Sequence, residues 1–265
     1  MNRIPLSTMI SAALALPLLV LLSIPLITLL GGVSSIGWLI TAPAGSSAIE
    51  ALTLSLQTSG LSALAIALMG TPLAWLMARK VSRGGTLLRV MVMTPMFLPP
   101  SVVGLTLLSA FNREGWLGSL SESFSEVPFS VGAVMIAQVT VAAPLYILGA
   151  MAVFKRSSPE LLEMARTLGL NPWEAWRRVT LPLLSPGLLI ALSLCWARAL
   201  GEFGATLLFA GHLPGVTQTA PLAIYLELER GTVGALAISI GLIGYMIPIL
   251  VALAWLGQPR WARLE

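Results

Sequence analysis

The chain has 265 residues, of which 57% are hydrophobic and only 10% are charged, with a formal net charge of +4. This composition excludes a soluble globular protein and predicts one domain embedded in lipid. The single cysteine, Cys195, excludes a disulfide framework within one chain, and the single histidine, His212, argues against a histidine metal site.

Six apolar stretches are each long enough to cross a bilayer, which takes about 20 residues in a helix. They cover residues 9–30, 51–77, 87–111, 131–154, 187–210 and 233–256. The first could also be a cleaved signal peptide, but it exceeds a usual signal core, and no clear small-x-small cleavage site follows it directly. The sequence therefore predicts an all-α, polytopic membrane protein with six transmembrane helices.

Lysine and arginine are distributed unequally between the two sides of these predicted spans. The outer side carries only Arg113 and Arg230, whereas the other side holds both chain ends and the second and fourth connections. The basic residues on that other side are Arg3, Arg79, Lys80, Arg83, Arg89, Lys155, Arg156, Arg166, Arg177, Arg178, Arg260 and Arg263. The positive-inside rule therefore predicts that both termini are cytoplasmic. A nucleic-acid partner has no support, because the basic residues form no patch interleaved with aromatic residues.

Three connections are predicted on the outer side. Residues 31–50 are rich in glycine, serine and proline and are predicted to form a loop, and residues 112–130 and 211–231 are connections with scattered charges. These charges could meet an external partner or could simply be solvated.

The third predicted span contains the sequence TPMFLPPS over residues 94–101. Proline removes a backbone donor and clashes with the preceding turn, so a helix must kink or break here. Irregular backbone at membrane depth must be buried in protein or line a wet cavity. Pro99, Pro100 and Ser101 are therefore candidates for a pathway-lining or gating break, with a packed structural kink as the alternative.

A polar island, residues 158–186, separates the fourth span from the fifth. Ser158 can cap a helix, and Gly169 can end it in the left-handed conformation that glycine adopts easily. Asn171 and Glu174 can open a second helix through a capping box. The pattern predicts a compact helix-turn-helix at the membrane surface, shaped to receive a protein partner.

The same island contains a Glu-x-Ala-x3-Gly stretch, followed at fixed distance by an aliphatic-x-Leu-Pro stretch. The matching residues are Glu163, Ala165, Gly169, Val179, Leu181 and Pro182. This spacing resembles the EAA loop of ABC importer permeases, which forms the coupling helix that docks in a cleft of the ATP-hydrolysing subunit. The resemblance implies that residues 156–182 couple the chain to an ATPase, with an ordinary cytoplasmic hairpin as the alternative. The coupling residues that it implies are Glu160, Glu163, Ala165, Arg166, Gly169, Leu181 and Pro182.

The chain contains no nucleotide-binding loop of its own. No Gly-x4-Gly-Lys-Ser/Thr sequence occurs, and neither Lys80 nor Lys155 follows a glycine. No Ser/His/Asp set or carboxylate pair indicates hydrolysis either. We therefore expect a non-catalytic membrane subunit without a cofactor or metal, and the resemblance implies that ATP and Mg²⁺ bind to the partner ATPase.

The fifth predicted span carries the only clear charges inside the membrane. Arg198, Glu202 and Thr206 recur every four residues and are predicted to share one polar helix face. Arg198 lies about eleven residues beyond the predicted helix start, or roughly 16 Å, near the bilayer middle. A lone charge there is costly, so we expect an ion pair with Glu202 that is either structural or part of the substrate path. A neighbouring face of small residues would let another helix approach closely, formed by Ala197, Gly201 and Ala205.

Three further stretches resemble permeases for tetrahedral oxyanions. Residues 199–206 are similar to a stretch that sulfate and molybdate permeases share, while residues 98–104 and 213–225 look like the molybdate branch. His212 departs from the asparagine expected before the last stretch. The resemblance covers residues 48–256 and implies a type I ABC importer permease fold in the bacterial inner membrane.

This resemblance also implies the partners. One EAA loop per chain implies a homodimer with two ATP-binding ABC subunits, and the family implies a periplasmic binding protein that delivers molybdate. The predicted organisation is an N-terminal part with the first span and outer loop (residues 1–47), a permease core (48–257) and a cytoplasmic tail (258–265).

Several alternatives remain open at this stage. Sulfate, thiosulfate or tungstate could replace molybdate as the substrate. An ATP-independent secondary transporter would explain six spans and an intramembrane ion pair, but not the EAA spacing. A non-transporting membrane scaffold is disfavoured by the proline-rich break in the third span.

Overall fold

The computed structural model describes residues 6–42, 45–79, 83–156, 163–165 and 167–257, and these residues form helices and connections without strands. In chain order the helices are α1 (Leu6–Gly31), α2 (Trp38–Thr41), α3 (Gly45–Arg79), α4 (Arg83–Phe97), α5 (Pro100–Phe111), α6 (Glu122–Ser125), α7 (Val131–Lys155), α8 (Pro172–Ala175), α9 (Leu181–Leu200), α10 (Gly204–Phe209), α11 (Ala220–Arg230) and α12 (Thr232–Leu256). A 3-10 turn, Val33–Gly37, precedes α2, and a π-helical segment, Trp176–Thr180, joins α8 to α9.

The predicted all-α membrane architecture is confirmed. Five described helical stretches are long and apolar enough to cross a membrane: α1, α3, α7, the continuous stretch Pro172–Leu200, and α12. The bent pair of α4 and α5 makes a sixth when it is counted as one span. The fifth predicted span is corrected at both ends, because its helix begins before residue 187 and stops at Leu200 rather than near residue 210.

The long helix α7 lies at the centre of the bundle, with α3 and α9 packed along it. Small residues such as Ala142, Ala150 and Ala191 let these three helices approach closely, and Tyr146 and Phe154 fill the space between them. By contrast, no part of the Leu14–Gly31 stretch of α1 is buried within the chain. The core is therefore built by the helices that follow α1.

Two predicted outer connections contain more helix than expected. Residues 31–50 form the 3-10 turn, α2 and the start of α3, and residues 211–231 contain α11. The charged residues Glu229 and Arg230, near the end of α11, are exposed, as expected for a connection. Leu222 and Ala223, in contrast, are buried. Burial of that apolar side against α3 and α12 stabilises a helix that composition alone did not indicate.

Candidate translocation site and coupling surface

The third span is broken between α4 and α5. The helix α4 ends at Phe97, α5 begins at Pro100, and the two are bent by 110°. Pro99 has a ψ of 135°, far from the helical value. Pro100 fits the first helical turn because the N–H that it lacks would have no intrahelical partner there. The predicted break is confirmed, and the role of Pro99, Pro100 and Ser101 in a pathway or gate stays a prediction.

The fifth span also contains a break, which the sequence analysis did not predict. The helix α9 ends at Leu200, and α10 starts at Gly204. The Glu202 carboxylate accepts a hydrogen bond from the N–H of Ala205 at 2.9 Å, so it satisfies a donor at the start of a new helix. The continuous polar face through residues 198, 202 and 206 is therefore wrong, as is the continuous small face through residues 197, 201 and 205. Arg198 lies in the last turn of α9, not in the middle of a longer helix.

Arg198 and Glu202 nevertheless form the predicted ion pair. Nη1 of Arg198 lies 2.7 Å from Oε2 of Glu202. The Glu202 side chain is only 1% exposed, whereas the Arg198 side chain is 32% exposed. Since Oε1 of Glu202 binds the N–H of Ala205, this carboxylate joins the end of α9 to the start of α10. The structure confirms the pairing.

The two helix breaks meet where α5 packs against α10. A Cβ added to Gly104 would lie 2.6 Å from the carbonyl oxygen of Ala205, so no side chain fits between these backbones. A Cβ added to Gly204 would lie 3.1 Å from Cβ of Pro100 and 3.3 Å from the backbone nitrogen of Ser101. The starts of the two helices are therefore in contact, and the start of α5 lies beside the segment that carries Glu202.

Thr206 is separated from the exposed part of this site. It is fully buried, and its hydroxyl has no hydrogen-bond partner among the described residues. Pro99, Pro100 and Ser101 are instead exposed on the surface of the chain. Of the predicted pathway candidates, the structure thus brings the proline break next to the Arg198–Glu202 segment and leaves Thr206 in the interior.

A buried polar stripe on α3 was not predicted from the sequence. Its members are Ser55, Thr58, Ser59 and Ser62, each at most 1% exposed. They connect α3 to α7, α9 and α11 through side-chain bonds. These bonds are Ser62 Oγ to Gln138 Oε1 (3.0 Å), Gln138 Nε2 to Thr58 Oγ1 (3.2 Å), Trp196 Nε1 to Ser59 Oγ (3.1 Å) and the N–H of Ala220 to Ser55 Oγ (2.6 Å). The signal was available, because spacings of three, four and seven residues place all four on one helix face.

The first half of the predicted coupling loop is partly described. Glu160 and Arg166 lie outside the described residues, so their predicted contacts stay predictions. Gly169 has a φ of +85°, which confirms the predicted left-handed end of the first helical turn. The N–H of Leu170 donates to the carbonyl of Ala165 at 3.2 Å, and Ala165 is buried. Glu163, in contrast, is exposed and free to face a partner surface.

The second half of the loop leads directly into the fifth span. The predicted capping box is confirmed, since the side chains of Asn171 and Glu174 each bond the other's backbone N–H. Pro172 to Leu200 then form one continuous helical stretch that includes the π-helical segment, so Leu181 and Pro182 lie within it. Leu168 is 82% exposed and Trp173 is 63% exposed, which leaves an apolar surface at this turn.

A cavity of about 440 Å³ lies between the loop before α11 and helices α3, α11 and α12. His212, Gln218, Glu227 and Arg230 contribute polar groups to its lining. Nη1 of Arg230 lies 2.8 Å from Oε1 of Glu227, so opposite charges are paired at its edge. His212, Glu227 and Arg230, which all lie in the predicted outer connection 211–231, are therefore brought together here.

The chain is similar in sequence to known membrane transport proteins. Residues 70–259 match the family described as binding-protein-dependent transport system inner membrane component. The chain is 39% identical over 220 residues to the molybdenum transport system permease protein ModB of Mycobacterium tuberculosis, covering 83% of this chain and 80% of that protein. It is 35% identical over 214 residues to ModB of Escherichia coli K12, covering 79% and 93%.

A solved structure gives the same fold. A chain of the bacterial ABC transporter involved in the import of the acidic polysaccharide alginate superimposes with a TM-score of 0.68 at 19% identity, and the match covers 94% of each chain. The described helices therefore have the fold of an ABC importer permease. The chain belongs to the family of binding-protein-dependent transport system inner membrane components.

Proposed function

We propose that this chain is the permease subunit of an ATP-driven ABC importer that carries molybdate across the inner membrane. The observation that carries the proposal is the 39% identity, over most of both chains, to a molybdenum transport permease. The chain itself does not hydrolyse ATP. ATP and Mg²⁺ bind to a separate ATPase subunit, which docks on the cytoplasmic hairpin between α7 and α9.

The continuous stretch Pro172–Leu200 supports a direct route from that hairpin into the membrane. It has 29 residues, or a length of about 43 Å at 1.5 Å per residue. One end lies at the capped turn of Asn171 and Glu174, and the other end carries the Arg198–Glu202 pair. A movement of the ATPase against Glu163 and the adjacent turn would therefore displace the end of α9 without passing through a flexible loop.

The partners follow from the same proposal. Two copies of the chain form a homodimer with the pathway between them, and one ATPase subunit binds beneath each copy. A periplasmic binding protein delivers molybdate to the outer side, where α11 and the connection before it lie. The excess of lysine and arginine near the chain ends and the hairpin supports cytoplasmic termini.

Molybdate selection belongs mainly to the delivery protein. A path that bound a dianion tightly with several arginines would release it slowly. Within the predicted spans Arg198 is the only basic residue apart from Arg89, which lies at the very start of the third span. The permease thus needs only weak contacts along the path. By the same reasoning, tungstate, sulfate and thiosulfate remain candidate substrates, and the uptake assay must compare each of them with molybdate.

The test is uptake by reconstituted vesicles that contain the permease, its ATPase and the molybdate-loaded binding protein. We expect ATP-dependent accumulation of radiolabelled molybdate, and copurification of the ATPase with the permease. Accumulation that continues without ATP or without the ATPase would contradict the importer assignment in favour of a secondary transporter. ATP-dependent accumulation of sulfate but not molybdate would retain the importer and overturn the substrate.

A further inference from the structure

The Arg198–Glu202 pair is asymmetric in a way that a purely structural ion pair does not require. Both oxygens of Glu202 are engaged, one by Arg198 and one by the N–H of Ala205, and the side chain is buried. Arg198 uses only Nη1, and the guanidinium has no other hydrogen-bond or ionic partner among the described residues. Since a guanidinium carries five N–H donors, most of its donors remain available.

The available edge of Arg198 lies on an open face of α9. Leu194 and Ile190, one and two turns earlier, are 61% and 53% exposed, and Gly201 after it is exposed as well. A charged group that faced lipid at this position would be costly, so this edge must face water or another protein. The start of α5 reaches the same break, because Pro100 and Ser101 pack against Gly204.

We propose that Arg198 contacts the tetrahedral oxyanion during its passage, and that Glu202 is the residue that positions it. This inference rests on the proposed molybdate import and assigns one residue to it. The unpaired N–H donors of Arg198 suit an oxyanion, because a guanidinium presents them in a planar fork that matches oxygen pairs.

Glu202 also limits how strongly the anion is held. The paired carboxylate neutralises the arginine charge locally, so the passing dianion meets directed hydrogen-bond donors without a net positive charge. Such a contact is strong enough to orient the anion and weak enough to release it. A free arginine at this position would provide a deeper electrostatic trap.

The decisive variant replaces the pair by Arg198→Gln together with Glu202→Gln. The amide oxygen at position 202 can still accept from the N–H of Ala205, and the two amides can bond each other, so assembly and thermal stability should be retained. We expect molybdate carried per ATP hydrolysed to fall about ten- to a hundredfold, the factor that loss of a hydrogen bond to a charged group gives. ATP hydrolysis stimulated by the loaded binding protein should persist, which a structural defect would not allow.

Arg198→Lys is the matched control, because it keeps the charge and the partner carboxylate. It should recover a substantial part of the uptake that the double glutamine variant loses. Wild-type transport by a stable double glutamine variant would overturn the role of Arg198 and leave the molybdate importer intact. Failure of the wild-type complex to carry molybdate or sulfate would overturn the proposed function and this inference with it.

A second measurement does not depend on the stability of the neutral pair. Cys195 is the only cysteine and is buried, so the combination of Arg198→Cys and Glu202→Gln introduces one accessible thiol. An anionic thiol reagent should label this position from water, and molybdate supplied during turnover should slow the labelling. A thiol that stays unlabelled, or is labelled equally fast with and without molybdate, would place position 198 outside the path and overturn the inference.

Discussion

Gly104 lies where the backbones of α5 and α10 touch, so it tests whether the two helix breaks are held together. An alanine Cβ at this position would lie 2.6 Å from the carbonyl oxygen and 2.8 Å from Cα of Ala205. Carbon atoms pack best at about 3.5–4.0 Å, so the helices would have to separate by about 1 Å. Because the opposing atoms are backbone, no side-chain rotation can relieve the clash.

The expected magnitude follows from two opposing terms. Overpacking of this kind costs about 1–3 kcal/mol. Replacing a helical glycine by alanine gains about 0.5–1 kcal/mol in backbone entropy. Because the clash is with backbone and cannot be relieved, the upper half of the overpacking range applies, and the net effect of Gly104→Ala is a loss of about 1–2.5 kcal/mol.

Gly60 in the middle of α3 provides the matched control. It is exposed, and a Cβ there would meet no atom within 4 Å. Gly60→Ala should therefore show only the stabilisation that comes from backbone entropy. Thermal unfolding of the purified complex should give a lower Tm for Gly104→Ala, by about 2–10 °C for a chain of this size, and an unchanged or higher Tm for Gly60→Ala. If both variants were equally stable, the contact between α5 and α10 would be looser than described, and the two breaks would not be held together by it.

Three further changes test other parts of the molecule. Glu163→Lys should leave the complex assembled but reduce molybdate carried per ATP hydrolysed, because the exposed carboxylate faces the proposed ATPase surface; unchanged coupling would remove this residue from the interface. A single cysteine at Ser157 should react only from the cytoplasm and one at Ser121 only from outside, and the reverse labelling would invert the proposed topology. Trp196→Phe should lower stability by about 0.5–1.5 kcal/mol through the lost indole bond to α3, whereas Trp116→Phe at a 70% exposed position should leave the Tm unchanged.

The features that the sequence predicted well depend on local chemistry. Pro99 and Pro100 lack N–H groups wherever the chain places them, so a break in the third span follows from covalent structure alone. Gly169 and the pair of Asn171 and Glu174 act on their own backbone within a few residues, and both predicted geometries are present. The apolar spans likewise follow from hydropathy, which needs no knowledge of neighbouring helices.

The break after Leu200 could not be predicted in this way. Residues 199–206 contain no proline, and a continuous helix would place Glu202 one turn beyond Arg198. The helix instead ends because the buried carboxylate bonds the N–H of Ala205 while α10 packs against Gly104 of α5. The ion pair was nevertheless predicted correctly, because residues four apart approach each other both in a helix and across this short break.

Inside a membrane, apolar periodicity no longer tells which face of a helix meets its neighbours, because lipid and protein interior are equally apolar. Polar and small residues carry that information instead. The polar residues of α3 at positions 55, 58, 59 and 62 mark the face that meets α7, α9 and α11, and Gly104 marks the backbone contact between α5 and α10. The same logic explains the misassigned face at residues 197, 201 and 205. Its spacing is regular, but of these three only Ala205 lies at the close backbone contact with α5, so regular spacing identifies a face only where the helix is known to continue.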